Sequence, residues 1–498
     1  HTDLVLIGQA WSDPPGQFQV SMALNNEQNT VLHVGTPTSV LLEKLWRSVK
    51  NFAVLFVASA FLSLLFFRLM RSFMARAEIE QDEDRLHDFN LGLINPFYFL
   101  AVFIEALASS FLPQYLRGLA RAGGADEGLV STIFTTYFLS FVLALVPSGA
   151  YAERKGPKNL MLLGMLLTGV SLLAMTFVTN IYVMFAVRAL AGFGQGMLFI
   201  GVQSYILQMA SNSQKTRAAA IIVFGYQGGT ISGTAIGALL VAFMGEQGVF
   251  LAGAVISAFA LWYVLQLVPR TGRVEKAADS EGFLKKLRNA VSDFEFMKTM
   301  LFVGIPTKAV LTGVTVFALP LLLSHLDYAQ EDIGQIIMLY AAGVLISSAY
   351  VARLVDRTGK TGTILFLGTL GGGIGLIMIG MAGWEPVATH PFTPLPTLIL
   401  IVGMFVVGLA HGFIHAPIVT HIGGTHAAEA LGKSSATSLY RLLERMGHVA
   451  GPIIVSQVLL FNGETLFSIS WVGLGIVILG LLFLIRAAGN RMSPSPSA

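Results

Sequence analysis

Gly149-Ala150-Tyr151-Ala152-Glu153-Arg154-Lys155-Gly156-Pro157-Lys158 and Arg353-Leu354-Val355-Asp356-Arg357-Thr358-Gly359-Lys360 carry one pattern twice: an acidic residue, Arg, any residue, Gly, and a basic residue close behind. Glu153 and Asp356 stand 203 residues apart. Each copy is a short charged loop between two long apolar runs. A carboxylate at a helix end favours an N-terminus, the neighbouring Arg can bridge to another helix, and Gly permits a tight reversal. Simple basic anchoring would explain one such loop. It would not explain the same loop twice at a fixed offset.

The surrounding sequence is apolar. Of 498 residues, 54% are hydrophobic and 12% are charged, with mean hydropathy +0.70, against about 25% charged in an ordinary soluble domain. So few ions cannot cover a water-facing surface, and burial in a membrane follows. The pI near 9.0 comes with a net charge of only +3, and the basic residues sit in short loops, which argues for membrane topology and against nucleic acid. Without Cys there is no disulfide framework, thiolate nucleophile or Cys metal site. The chain opens with His1 rather than Met and is expected to be a processed or clipped product.

A bilayer core takes roughly 20 apolar residues per helix, which predicts thirteen crossings. The first covers 49–70; twelve follow near 94–117, 128–150, 158–178, 180–208, 216–244, 246–268, 297–324, 331–353, 361–383, 395–420, 434–460 and 464–488. A charged stretch, 269–296, splits the twelve into bundles at 94–268 and 297–488, with a solvated tail at 489–498. One set of loops carries Arg154, Lys155, Lys158, Lys215, Arg217, Arg270, Arg273, Lys276, Lys285, Lys286, Arg288, Arg353, Arg357 and Lys360. The loops around Thr179, Gly245, Asp327, Trp384 and Gly463 have almost none, and Arg117 and Arg121 are the exceptions. The basic side is therefore expected to be cytoplasmic, which puts residues 1–48 outside and 71–93 inside as a charged connector. The outer segment has strand-like pieces at Leu4–Ile7, Phe18–Ala23 and Val31–Val34. Its Val31–Pro37 run, followed by Leu41-Leu42-Glu43-Lys44-Leu45-Trp46, resembles the membrane-proximal end of bacterial Cache-type sensor domains; an ordinary extracytoplasmic tail fits equally.

The doubled loop resembles motif A of the major facilitator superfamily (MFS), with Gly149, Glu153, Arg154, Gly156 and Lys158 in one half and Asp356, Arg357, Gly359 and Lys360 in the other. Glu153 departs from the usual Asp. The run Arg188-Ala189-Leu190-Ala191-Gly192-Phe193-Gly194-Gln195-Gly196 is similar to the family's motif B, on Arg188, Gly192 and Gly196. Gly225, Gly229, Gly233 and Gly237 recur every four residues, a stripe for close backbone approach. The family's antiporter Gly-Pro pair is absent from that helix and occurs instead as Gly451-Pro452 in the eleventh, so symport and export both stay open. The resemblance implies an all-α membrane fold of two six-helix bundles about a pseudo-two-fold axis. A charged rim would hold the outward-facing state shut and break as the halves rock.

Ionisable residues inside apolar runs mark the candidate site, since a charge at the bilayer centre costs roughly 2.5–3.5 kcal/mol unless it is paired or wet. Glu105 and Glu444 are the proton-coupling candidates. Lys308 would pair with Glu105, meet an anionic solute, or snorkel to the rim. Arg441, Glu444, Arg445 and His448 follow i, i+3, i+4, i+7 spacing and are expected on one cavity-lining face. His411 and His415 are one turn apart; no third ligand accompanies them, so polar pore positions are expected and no metal. Tyr226, Gln227 and Gln203 complete the cavity candidates. No phosphate-cradling loop or nucleophile–base set occurs.

The expectation is a secondary transporter without cofactor, working as a monomer in a bacterial inner membrane. Its partners would be membrane lipid, protons and a small polar or anionic solute, with no nucleic acid. The alternatives are an exporter of amphipathic drugs or lipids, and a sensor whose outer segment regulates the twelve helices.

Overall fold

The computed structural model describes residues 4–5, 17–23, 31–74, 83–209, 222, 224–270, 283–389, 395–415 and 417–489. Lys215, Arg217, Arg273, Lys276, part of the connector and the C-terminal tail lie outside the described residues. The chain divides into two compact units, His1–Ala60 and Phe61–Ala498.

The first unit holds a three-stranded antiparallel sheet in the order β1-β3-β2, from β1 (Leu4–Val5), β2 (Gln17–Ala23) and β3 (Val31–Pro37). β3 is central: Val34 faces both Leu4 and Val20, and Ala23 pairs with Val31. The expected strand pieces are thus one small sheet attached to an otherwise helical chain. Directly after β3 begins α1 (Thr38–Met74), whose apolar part is Leu55–Met70.

The second unit is built from helices, most of them long and apolar: α2 (Glu83–Ala106), the short amphipathic α3 (Leu112–Ala122), α4 (Leu129–Lys155), α5 (Pro157–Phe177), α6 (Ile181–Met209) and α7 (Gly229–Leu267). The amphipathic α8 (Phe283–Ser292) occupies the linker. The second half follows with α9 (Phe294–His325), α10 (Gln330–Thr358), α11 (Thr361–Met381), α12 (Leu395–His415), α13 (Lys433–Leu443), α14 (Arg445–Asn462) and α15 (Ile469–Gly489). Among the described residues nine helices are long and apolar enough to cross a bilayer. That number is compatible with twelve passes. Gly225–Leu267 contains two crossings joined at Gly245 (φ 67°, ψ 175°), Gly92–Ala106 is a shorter apolar helix, and the α13–α14 pass is broken.

The neighbour pattern of the first half recurs in the second. α6 packs on α4 and α5 as α12 packs on α10 and α11; α7 packs on α2 and α5 as α14 packs on α9 and α15 on α11. Across the seam α7 meets α10 and α4 meets α14, pairs that exchange under the same repeat.

Two predicted helices are interrupted. The 94–117 helix stops at Ala106, turns through 107–111 and restarts as α3. Pro113 has no N–H to continue the ladder, and the Ser109 hydroxyl donates back to the Ala106 carbonyl at 2.7 Å. The 434–460 helix breaks at Glu444, where the Gly447 N–H donates to the Glu444 carbonyl at 3.1 Å, three residues back.

The glycine stripe does what its spacing predicts. A Cβ on Gly229, Gly233 or Gly237 would run into the carbonyl oxygens of Phe99, Phe103 or Leu107, so α7 lies backbone-to-backbone on α2 and the turn after it. Gly192 and Gly196 likewise seat α6 on the Tyr137 and Phe141 carbonyls of α4.

At the end of the bundle opposite the basic loops the two halves are clasped. Arg117 Nη2 donates to both carboxylate oxygens of Glu464 at 2.9 Å, its Nε lies 2.9 Å from Glu127, and Nη1 meets His325. Arg121 donates to Glu127 at 2.5 Å, which holds that carboxyl below the usual range. Gln330 donates to Gln114 beside them. Arg117, Arg121, Glu127 and Gln114 belong to the first half; His325, Gln330 and Glu464 belong to the second. The two exceptions to the loop-charge rule are therefore parts of a rim clasp.

Gly237→Leu should destabilise the first bundle by about 1–3 kcal/mol through overpacking and sharply lower the monodisperse yield on fluorescence-detected size exclusion. Gly475→Leu, where an added Cβ meets open space, should leave the yield unchanged.

Candidate functional site

Motif A can be placed first, because its backbone explains its glycines. Gly156 (φ 85°) ends α4 and Pro157 opens α5; Gly359 (φ 64°) ends α10, its N–H donating to the Val355 carbonyl at 2.8 Å. Positive φ is where glycine carries no Cβ penalty. Lys158 Nζ caps the free carbonyl of Leu265 at the end of α7, 3.1 Å away. Glu153 and Asp356, however, lie in the last turns of α4 and α10, not at helix N-termini. A carboxylate there opposes the helix dipole, and Arg154, Lys155 and Arg357 in the same turns offset it. Glu153, Arg154, Asp356, Arg357 and Lys360 are exposed. Gly149 has open space around it.

In the first half, Arg188 Nη2 of α6 meets Glu105 Oε1 of α2 at 3.4 Å, and its guanidinium lies over the Tyr137 ring, 4.2 Å from the centroid. Arg188 is buried and Glu105 is half-buried. Of the three roles open to Lys308, pairing with Glu105 is not the one formed: Glu105 meets the motif B arginine of its own bundle.

Lys308, on the short α-helical segment of α9 between two π-helical stretches, turns to its own bundle as well. Its Nζ lies 3.7 Å from Glu444 Oε2 and 3.3 Å from His415 Nε2. Tyr440 donates to the same Glu444 oxygen at 2.7 Å. His415 Nδ1 is 2.6 Å from the His411 carbonyl, and a carbonyl only accepts, so that nitrogen carries the proton. Nε2 of the neutral ring then presents its lone pair to the ammonium. His411 is buried with Nδ1 2.9 Å from the Tyr340 hydroxyl. Gly304, Thr307, Lys308, His415, Tyr440, Arg441 and Glu444 line a small cavity of about 40 Å³.

The four-residue face at 441–448 is split by the helix break. Glu444 and His448 are buried, Arg445 is half-buried and Arg441 is exposed. Arg441 and Glu444 line the cavity, whereas Arg445 and His448 cross the seam. Arg445 lies over the rings of Phe141 (4.9 Å) and Phe199 (4.4 Å), and His448 stacks on Phe138 with centroids 5.2 Å apart. Tyr226 is exposed and within electrostatic reach of Arg445 and Glu444; Gln227 is buried and Gln203 half-buried.

Pro452 lacks the N–H that would bond the His448 carbonyl. Thr312 of α9 donates to that carbonyl at 3.3 Å, and Thr135 of the other half donates to Val449 at 3.1 Å. Gly447 and Gly451 let α14 lie on the backbone of α9 at Ile305 and Ala309. The displaced Gly-Pro pair thus has a local duty at the seam. Tyr440, Tyr137, Phe138, Phe141 and Phe199 are the site residues that charge-seeking alone misses. Tyr440, four residues before Glu444, and the Phe138–Phe141 spacing were the signals available for three of them.

Residues 96–452 match the profile of the Major Facilitator Superfamily, and the chain belongs to that family. It is 22% identical over 357 residues to a multi-drug resistance efflux pump PmrA homolog of Lactococcus lactis, covering 71% of this chain and 84% of that one. It is 25% identical over 369 residues to a chloramphenicol resistance protein of Streptomyces lividans, covering 73% and 89%. Its fold is similar to the crystal structure of the nucleoside transporter NupG, with TM-score 0.63 at 18% identity, covering 79% of this chain and 98% of that one. The protein is an integral membrane transporter of the MFS fold and not an enzyme.

Breaking one side of the Lys308–Glu444 pair should cost about 3–5 kcal/mol by stranding the other charge. Lys308→Met and Glu444→Gln should each lower the thermal midpoint in detergent, and the double variant should recover most of that loss without recovering transport.

Proposed function

We propose that the chain is a secondary active transporter that moves a small polar or anionic solute by alternating access, coupled to protons. The observation that supports this is the charge of the cavity lining: Lys308 and Arg441 face a single carboxylate, Glu444. One positive charge is left for a solute to balance. Lys308 is held by Glu444 and by the His415 lone pair. A proton arriving on Glu444 removes its negative charge and frees the ammonium to take an anion. Proton and anion then bind together and leave together, as symport requires. Glu105, paired with Arg188, is the second proton candidate and stands behind Glu444 because a guanidinium stays charged in either state.

In this reading the basic loops face the cytoplasm of a bacterium, the Arg117 clasp faces outward, and motif A forms the opposite gate. The structure would then represent a state closed on the outside. α1 adds a crossing that keeps residues 1–48 extracytoplasmic, and the unit works as a monomer. The exporter reading draws support from the drug-resistance relatives; it predicts proton antiport instead.

Proteoliposome flux separates the two. An acid-outside pH gradient should drive uphill uptake of monocarboxylates, with a membrane potential adding little because the proton neutralises the anion. Per folded protein, Glu444→Gln should keep counterflow while losing at least about ten-fold of uphill uptake, equivalent to roughly 1.4 kcal/mol. Undiminished uphill uptake by Glu444→Gln together with its loss in Glu105→Gln would move the proton site to the Arg188 pair; export against the proton gradient would replace the symport reading.

A further inference from the structure

Arg445 sits at the seam in an unusual state of partial satisfaction. Its guanidinium is held by faces of the opposite bundle, Phe141 of α4 and Phe199 of α6, whose rings lie 5.8 Å apart at 54°. Ring faces answer its charge but accept few of its N–H groups. Nη1 reaches His448 Nε2 at 3.4 Å, while among the described residues the buried Nε has no hydrogen-bond partner. One turn on, His448 is 4% exposed and stacked on Phe138 at 16°, and among the described residues its buried Nδ1 has no partner either. All three phenyl rings are half-buried.

A ligand complementary to this place needs two features at once. A planar carboxylate matches the guanidinium fork, which takes it with two parallel hydrogen bonds. A flat ring occupies the phenyl faces that Arg445 gives up when it turns to that carboxylate. An aliphatic anion satisfies the first and leaves the rings bare; a neutral aromatic does the reverse.

We propose that Arg445, Phe141 and Phe199 form a selectivity site for aromatic carboxylates. The proposal rests on the reading of the protein as an anion transporter and names the class of anion. Binding also acts on the seam. The ring contacts of Arg445 join one half to the other, so a ligand that takes Arg445 away exchanges a cross-seam contact for its own. Solute binding thereby loosens the centre of the interface through which the halves must move.

The test uses the full chain in proteoliposomes preloaded with unlabelled ligand, with counterflow of three matched pairs: benzoate, phenylacetate and cinnamate against cyclohexanecarboxylate, cyclohexylacetate and cyclohexylpropionate. At least one aromatic acid should exchange with about ten-fold higher apparent affinity than its saturated partner, the size expected of one good ring contact. Phe141→Leu and Phe199→Leu should shrink that ratio to about two-fold or less while exchange of the saturated acid continues. Benzamide should not compete. Equal affinities within every pair for the unmodified protein would overturn the aromatic site and leave the anion reading intact, with no variant needed. Absence of exchange for all six acids would overturn both.

Discussion

A charge inside hydrocarbon has to be matched, and in this protein the matching is done within each half. Arg188 answers Glu105 in the first bundle; Lys308 answers Glu444, with His415 and Tyr440 completing the set, in the second. Stranding any of these charges in a low-dielectric core would cost several kcal/mol. Pairs confined to one rigid body need not break when the bodies move. That partition would let charged residues coexist with the rocking proposed above.

What crosses the seam is of a different kind. At mid-depth it is ring contact: Arg445 on Phe141 and Phe199, His448 on Phe138, Phe134 beside Phe317. Such contacts are individually modest and can be made again in a shifted geometry. At the rim it is ionic, from Arg117 to Glu464 and His325, where separated partners can be rehydrated. Close packing also joins the halves, with Gly334 of α10 set against Thr234 and Ala238 of α7. The Thr135 hydroxyl on the Val449 carbonyl ties the proline-containing helix to the other bundle.

Much of the fold was legible in the sequence because it depends on local or periodic signals. The doubled loop marked the two halves, its turn glycines Gly156 and Gly359 fell at positive φ, and the four-residue glycine stripe lay against a neighbouring backbone. The reversal at Gly245 was readable for the same reason. The breaks were harder. Pro113 gave notice of one, but Glu444 is flanked by Leu443 and Arg445, good helix formers, and its break comes with tertiary demands on its carboxylate. Pairing was the least legible feature. Pseudo-symmetry placed Lys308 opposite Glu105, yet distance in three dimensions decides partners, and each found one within its own bundle. The aromatic cage was invisible to a search for ionisable groups, although Phe138 and Phe141 were there to be read at helical spacing.

For transport by the proposed route, the halves must separate at the rim while each moves as one body. The chain contains no Cys, so engineered pairs test it directly. Gln114→Cys with Gln330→Cys spans the clasp, and Tyr328→Cys with Thr397→Cys replaces a 2.8 Å contact inside the second half. Joined by a short bifunctional thiosulfonate in proteoliposomes, the first pair should stop flux until a reductant restores it, and the second should leave flux unchanged. Full flux through the cross-linked Gln114–Gln330 pair would contradict the account, because the rim would then never open.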